Sequence, residues 1–250
     1  MYIRLTYDFP DGQEVEEYHT AKYGAPGQKR RARAKPTPEQ IARHNSLNRI
    51  KKIQRLIRWN FNYDEDLWLT LTYSRENKPS DIPAAVHDVN LLFAQLRRIF
   101  RKQDATMKWM LKTERGARGG IHHHLLITNT PNNDLLGIIT KRWGKNGGVH
   151  PRFTEKEGKK SPYRELAEYI EKRKPGETVR FSRSRNMIEK QPKKEIMPGK
   201  TMRKPPKDRG GYVVVRNTII EGINPLGYPW RKYEMRRADN RIRGSGKKRE

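Results

Sequence analysis

The chain has 250 residues, room for one medium domain or a core with appendages, and it carries 55 Lys and Arg against 28 Asp and Glu, a formal net charge of +27. A surplus of that size repels itself unless a polyanion neutralises it, so nucleic acid is the partner to expect, and an apolar fraction of 33% implies a modest core. With no cysteine, disulfides, thiolate zinc sites, iron–sulfur clusters and cysteine nucleophiles are excluded, and any metal must sit on His, Asp or Glu.

The longest apolar runs, such as Leu125-Leu126-Ile127 and Val213-Val214-Val215, fall far short of the roughly 20 residues of a membrane span. The opening MYIRLTYDFPDG has neither the basic region nor the apolar core of a signal peptide. A soluble, cytoplasmic protein with no membrane partner is expected.

Residues 2–8 and 14–20 alternate around Pro10-Asp11-Gly12 and predict a β-hairpin. Residues 22–36 are basic, with Arg30, Arg31 and Arg33, and predict a mobile arm that binds phosphate. Thr37-Pro38-Glu39-Gln40 is a capping box with proline in the first helical position, opening a helix to about residue 59. Its stripe of Ile41, Leu47, Ile50, Ile53 and Leu56 is expected to pack, leaving a basic face with Arg49 and Lys52. Residues 67–73, LWLTLTY, predict a strand, and residues 82–100 a helix through Val86, Val89, Phe93, Leu96 and Phe100. Strands at 107–114 and 121–128 follow, then a helix at 134–143, a strand at 149–153 and a helix at 162–174. That order predicts an α+β fold, an antiparallel or mixed sheet with helices on one side.

Residues 175–210 are rich in Pro, Lys and Arg, including Arg185, Lys193 and Lys194, and predict a flexible, DNA-facing segment. A late β-unit at 212–220 and 228–235 turns at Asn224-Pro225-Leu226-Gly227, and the basic tail is expected to be disordered. The chain thus reads as three parts: 1–60, a hairpin, basic arm and helix; 61–175, a core; and 176–250, a basic segment, β-unit and tail.

The densest chemical cluster is Ile121-His122-His123-His124-Leu125-Leu126. Side chains alternate along a strand, so His122 and His124 share one face and His123 takes the other. Glu114 precedes His122 by eight residues; if the two pair directly across a hairpin, all three side chains share a face. Such a set leaves open coordination positions, and two nitrogens with one oxygen suit Mg²⁺ or Mn²⁺ acting on phosphate. Taken alone, an H-x-H pair in a basic protein is more often a pH-sensitive surface or DNA-contacting pair; the combination with Glu114 is what points to a metal.

Tyr169 and Lys172 are three apart on the helix at 162–174 and share a face. A tyrosine hydroxyl can attack a phosphodiester, although only about one in a thousand is ionised at neutral pH, so it needs an electrophilic partner and a nearby cation. The alternative is a tyrosine packing with Leu166 and Ile170. Thr70 and Thr72, on one face of the central strand, could support a metal ligand or touch the DNA backbone. Trp109, Trp143 and Trp230 are candidates to stack on bases.

The succession LTLT, HHHLL and Y-x-x-K resembles the three motifs of the HUH endonucleases, the rolling-circle replication initiators, and is most similar to replication-associated proteins of mobile elements related to the gene II proteins of filamentous phages. PTPEQIARHN, DLWLTLTY, the ERG before GGIHHHLL, SRN at 184–186 and NPLGYPWRKYEMRR extend the resemblance over nearly the whole chain. It implies a ferredoxin-like sheet with flanking helices, with 61–175 as the nuclease core. By the same resemblance His122 and His124 bind a divalent metal with Glu114 as third ligand, and Tyr169 is the nucleophile with Lys172 its helper. His123 stands where such motifs usually hold a bulky apolar residue, and Tyr163, six residues before Tyr169, is poorly placed to be a second catalytic tyrosine. The implied reaction nicks single-stranded DNA at a replication origin, leaving a 5′-phosphotyrosine and a free 3′-hydroxyl, and later rejoins the strand.

Gly158-Lys159-Lys160-Ser161 ends like a phosphate-binding loop but lacks the earlier glycine, residue 153 being Phe; a helicase, like the polymerase, would come from the host. The alternatives are a relaxase or single-tyrosine transposase, and a non-enzymatic basic module that only binds nucleic acid.

Overall fold

A computed structural model of the protein describes residues 1–19, 37–62, 64–116, 119–132, 134–152, 162–172, 179–199, 202, 204–223 and 228–238. The arm with Arg30, Arg31 and Arg33, the stretch 158–161, the turn at 224–227 and the tail beyond 238 lie outside the described residues. In chain order the elements are β1 (Tyr2–Phe9), β2 (Gly12–Tyr18), α1 (Pro38–Asn60), β3 (Leu67–Thr72), α2 (Ile82–Lys102), β4 (Trp109–Arg115), β5 (Ile121–Ile127), α3 (Leu135–Trp143), β6 (Val149–Pro151), α4 (Pro162–Glu171), β7 (Val179–Arg183), β8 (Lys193–Met197), β9 (Tyr212–Ile223) and β10 (Pro229–Arg237). They form two compact units, Met1–Thr37 with Lys190–Glu250, and Pro38–Glu189. Each contains one five-stranded antiparallel sheet, so the chain is α+β, as expected.

The sheet of the Pro38–Glu189 unit has the order β6-β3-β5-β4-β7. Its strands carry apolar side chains at both parities, and a strand that is apolar on both faces requires cover on both. Leu69, Leu71, Leu111, Leu125 and Ile127 pack on one side with Val89, Phe93, Leu96 and Phe100 of α2 and Leu135, Ile139 and Trp143 of α3. Met110 and Leu126 pack on the other with Leu56 and Ile57 of α1 and Leu166, Ala167 and Ile170 of α4. Helices therefore cover both faces, where the sequence reading expected only one.

The stripe of α1 also packs less than expected. Ile41 and Leu47 are exposed, and burial is continuous only from Leu56 to the end of the helix. At about 1.5 Å per residue a 23-residue helix is more than twice as long as the ten-residue α4 beside it, so its N-terminal turns run past that neighbour. Residues 175–210 likewise contain order that composition hides. Val179–Arg183 pairs with β4, and Lys193–Met197 pairs with β1; both are short, charged edge strands, which the hydrophobic pattern does not mark. Trp143 is buried and donates its Nε1 proton to Thr72 O at 2.9 Å, which removes it from the candidates for base stacking.

The other sheet has the order β8-β1-β2-β10-β9. Phe9 and Gly12 are direct partners, leaving Pro10-Asp11 as the hairpin loop. Gly12 has φ 153°, and a Cβ there would lie 2.2 Å from the Met235 carbonyl oxygen; the close approach of β10 requires glycine. Val15, Val214, Tyr233 and Met235 form a small apolar cluster. Beside it the Glu17 carboxylate is fully buried between Arg4, whose Nε lies 2.6 Å away, and Arg231, while Glu14 bonds Lys232 at 2.7 Å. Buried charges are tolerable only in such pairs, and deleting one partner strands the others. Glu17→Leu is expected to cost about 3–5 kcal/mol in urea denaturation, with much of the loss recovered when Arg4 and Arg231 are also made apolar. A variant as stable as the parent would show that this cluster does not hold the sheet.

Candidate functional site

The even-numbered positions of β3, β4 and β5 that are not apolar collect on the α1/α4 face at one end of the sheet. Glu114 and His122 are direct partners, as are Lys112 and His124, and on the other side Thr70 pairs with His124 and Thr72 with His122. Glu114 Oε1 accepts at 3.2 Å from His122 Nε2 and at 3.1 Å from His124 Nε2. One ligand atom from each of the three lies within 4.8 Å of the others, a group that could hold a metal ion. The donor set fits a divalent cation: both imidazole nitrogens already converge on one carboxylate oxygen, so a cation can take the place of the shared protons and still have coordination positions to spare.

Electrostatics favour the charged carboxylate. Burial alone would raise the Glu114 pKa, but hydrogen bonds from His122, His124 and Lys112, with the charge of Lys112, outweigh it and hold the group well below the usual carboxylate range. For His124 burial dominates and lowers the pKa against the opposing pull of Glu114, which favours the neutral imidazole that ligation needs. Thr70 Oγ1 lies 3.2 Å from His124 Nδ1 and accepts from Arg152 Nε at 2.8 Å. A hydroxyl can donate to that nitrogen or accept from it, so Thr70 can orient the ring in either tautomer.

Lys112 is a site residue that the sequence reading missed. Its ammonium is buried, 2.6 Å from Glu114 Oε2, and donates to Tyr169 O at 3.2 Å and Lys172 O at 2.8 Å. These carbonyls belong to the last turn of α4 and the residue after it, where helical partners run out. One side chain thus joins the carboxylate on β4 to the helix that bears Tyr169. A lysine inside LKTER gives no sequence signal, because only the register places it opposite His124.

Tyr169 is half-buried, with its hydroxyl 2.8 Å from His124 Nε2 and its ring edge-on to His124 and Trp68. Leu166 and Ile170, the packing partners of the alternative reading, are buried in the core beneath α4. Burial raises the Tyr169 pKa, and the Arg152 charge pulls it back down. Arg152, also unexpected from the sequence, stands just past β6 with its guanidinium 5.1 Å from the Tyr169 ring centre and 5.8 Å from that of Trp68. Trp68, Arg152, Tyr169 and Lys172 line an open cleft of about 420 Å³ together with Glu165 and Glu168. Tyr163 packs against the apolar cluster under α4.

His123 faces the opposite side of the sheet. It is fully buried against Tyr73 and Trp143, and burial pushes its pKa down to about 3. Tyr73 donates to Ala85 O and so accepts from His123 Nε2 at 2.9 Å, which leaves Nδ1 to accept from Thr113 Oγ1 at 2.8 Å. This histidine is a satisfied core residue rather than a member of the site.

The residues singled out for DNA contact are dispersed. Arg49 Nε is 2.6 Å from Glu171 and Lys52 Nζ 3.5 Å from Glu189, so both are engaged with carboxylates. Arg185 is exposed in the turn after β7. Lys193 and Lys194 lie on β8 of the other unit, Lys193 3.3 Å from Glu195.

A carboxylate and two imidazoles converging on adjacent antiparallel strands, with a helix-borne tyrosine hydroxyl touching one imidazole, define a candidate metal centre with an adjoining phenolic hydroxyl. Residues 66–174 match the model of a replication-associated protein family, that of the ORF2 and gene II proteins. The match runs from one residue before β3 to three past α4, so it contains Glu114, His122, His124 and Tyr169, and it is consistent with a rolling-circle initiator of HUH type. No curated protein and no solved structure matches the chain significantly.

Two outcomes are expected. In calorimetric titration with Mn²⁺, His124→Ala abolishes binding, and Thr70→Val weakens it about 10–100-fold; unchanged affinity in both variants would remove the metal assignment. Lys112→Met leaves Glu114 Oε2 and two helix-end carbonyls without their donor and lowers stability by about 1–3 kcal/mol in urea denaturation; an unchanged midpoint would show that the bridge does not stabilise the fold.

Proposed function

We infer that the protein is a replication initiator that nicks single-stranded DNA at an origin, stores the bond as a 5′-phosphotyrosine and rejoins the strand, starting rolling-circle replication. The observation that carries this reading is the position of the Tyr169 hydroxyl, 2.8 Å from His124 in the Glu114–His122–His124 cluster. A nucleophile beside a cation site is the arrangement phosphodiester transfer requires. Mg²⁺ or Mn²⁺ held by these three side chains would polarise the scissile phosphate.

The protein's own residues supply the rest. Lys112 holds the end of α4 against Glu114, so Tyr169 is presented at a fixed distance from the cluster. Arg152, tethered through Thr70, and Lys172 on the cleft wall offset the charge that builds on the phosphate oxygens. The Tyr169 oxygen forms a bond to phosphorus, the bond from phosphorus to the 3′-oxygen breaks, and the phenolic proton ends on that oxygen by way of solvent. Attack by a 3′-hydroxyl on the phosphotyrosine reverses the step and needs no ATP, since the bond energy is conserved. Host polymerase would extend the free 3′ end, and a host helicase would open the duplex.

Purified protein incubated with Mn²⁺ and a single strand bearing the element's own origin should become covalently attached to the 5′ end of the cleaved product. Tyr169→Phe should give no adduct, and chelation of divalent ions should suppress cleavage. If the phenylalanine variant forms as much adduct as the parent, Tyr169 is not the nucleophile. If the parent binds the strand and never cleaves it, the chain is a binding module.

A further inference from the structure

A cleft that does not belong to this site has a volume of about 880 Å³ and opens where the C-terminus of α2, the start of β4 and the end of β7 meet. Four guanidinium groups line it, Arg97 and Arg101 from α2 and Arg183 and Arg185 from β7 and its turn, with Trp109 in its wall and Asp104 as its one carboxylate. Arg183 reaches Glu189 at 3.4 Å, and among the described residues no carboxylate pairs with Arg97, Arg101 or Arg185.

The arginines stand on a rigid frame. Ser184 N donates to Trp109 O at 2.9 Å, Trp109 N donates to Ser184 Oγ at 3.2 Å, and Asn186 Nδ2 donates to Met107 O at 3.1 Å. These bonds fasten the turn that carries Arg185 to the beginning of β4. The Trp109 ring lies 4.4 Å from that of Phe93, a core residue of α2, so the aromatic wall is also fixed.

The cleft is separate from the metal cluster on two counts. Trp109 and Glu114 are five residues apart on β4, about 17 Å at 3.3–3.4 Å per residue. Trp109 packs with the α2/α3 face, whereas Glu114 lies on the α1/α4 face. A nucleotide seated at Tyr169 therefore cannot itself fill this cleft.

We propose that the cleft is a second nucleic-acid site, holding the phosphate backbone of a DNA segment other than the one presented to Tyr169. Four guanidinium groups, one of them paired with Glu189, against a single lining carboxylate leave the concavity net positive, and a ligand with several regularly spaced anionic oxygens relieves the remaining repulsion while accepting the planar, forked donors of arginine. Trp109 adds a surface for a base or sugar. The choice of DNA as occupant rests on the replication reading, whereas the anionic chemistry of the ligand rests on the cleft alone.

The test is fluorescence anisotropy with the full chain and a labelled mixed-sequence single strand, alone and annealed as a duplex, between about 50 and 200 mM salt. Arg101→Glu with Arg185→Glu should weaken binding at least about tenfold and reduce the slope of log affinity against log salt by about two, one for each phosphate that is no longer neutralised. The same reversal outside the cleft, Lys141→Glu with Lys145→Glu, should cost markedly less. Equal effects in the two pairs, or unchanged affinity in the cleft pair, overturn the proposal. Saturable binding of inorganic phosphate that the cleft pair abolishes while DNA affinity stays unchanged also overturns it, in favour of a simple anion site. Covalent adduct formation reads Tyr169 independently: if the parent protein forms no adduct but the cleft pair still weakens DNA binding, this site stands and only the nuclease reading is removed.

Discussion

Glu114 is the residue on which the site depends. A half-buried carboxylate is unfavourable unless donors replace the water it gives up, and here His122 and His124 from β5 and Lys112 from its own strand supply them. The same carboxylate that gathers the two imidazoles is thereby tied, through one buried ammonium, to the last turn of the helix that carries Tyr169. The two imidazoles and the Tyr169 hydroxyl are not independently placed; the Lys112–Glu114 ion pair spans them.

The three consecutive histidines of β5 show how strand parity divides identical side chains. His122 and His124 face the carboxylate, while His123 enters the opposite core, held neutral by burial and by the hydroxyls of Thr113 and Tyr73. A one-residue slip of β5 would put a single histidine against Glu114 and two in the core. The apolar packing of Leu125 and Ile127 against α2 and α3 guards against that slip, and the Trp143 bond to Thr72 O fixes α3 to the neighbouring strand.

Part of the positive charge behind the +27 surplus is neutralised within the protein. Arg4 and Arg231 are engaged by Glu17, Lys112 by Glu114 and Arg49 by Glu171. Among the described residues, Arg97, Arg101 and Arg185, which pair with no carboxylate, gather instead in the cleft beside Trp109, and Arg152 stands against the rings of Tyr169 and Trp68. Net charge names a class of partner; the pairing pattern says which cations are available to it.

Local pattern was enough for much of this protein. The hairpin around Pro10-Asp11, the helix after Thr37, the strands around LTLT and HHHLL, and the convergence of His122 and His124 all follow from side-chain periodicity and from local turn and capping residues. Tertiary structure decided what periodicity cannot reach. It closed the N-terminal hairpin into one sheet with β8, β9 and β10 from the other end of the chain, and it added the charged strand β7 to the edge of the other sheet. It also brought Lys112 and Arg152 to Tyr169 across 57 and 17 residues of chain. Those choices rest on register and on the burial of charge, interactions between residues distant in sequence whose identity no local window records.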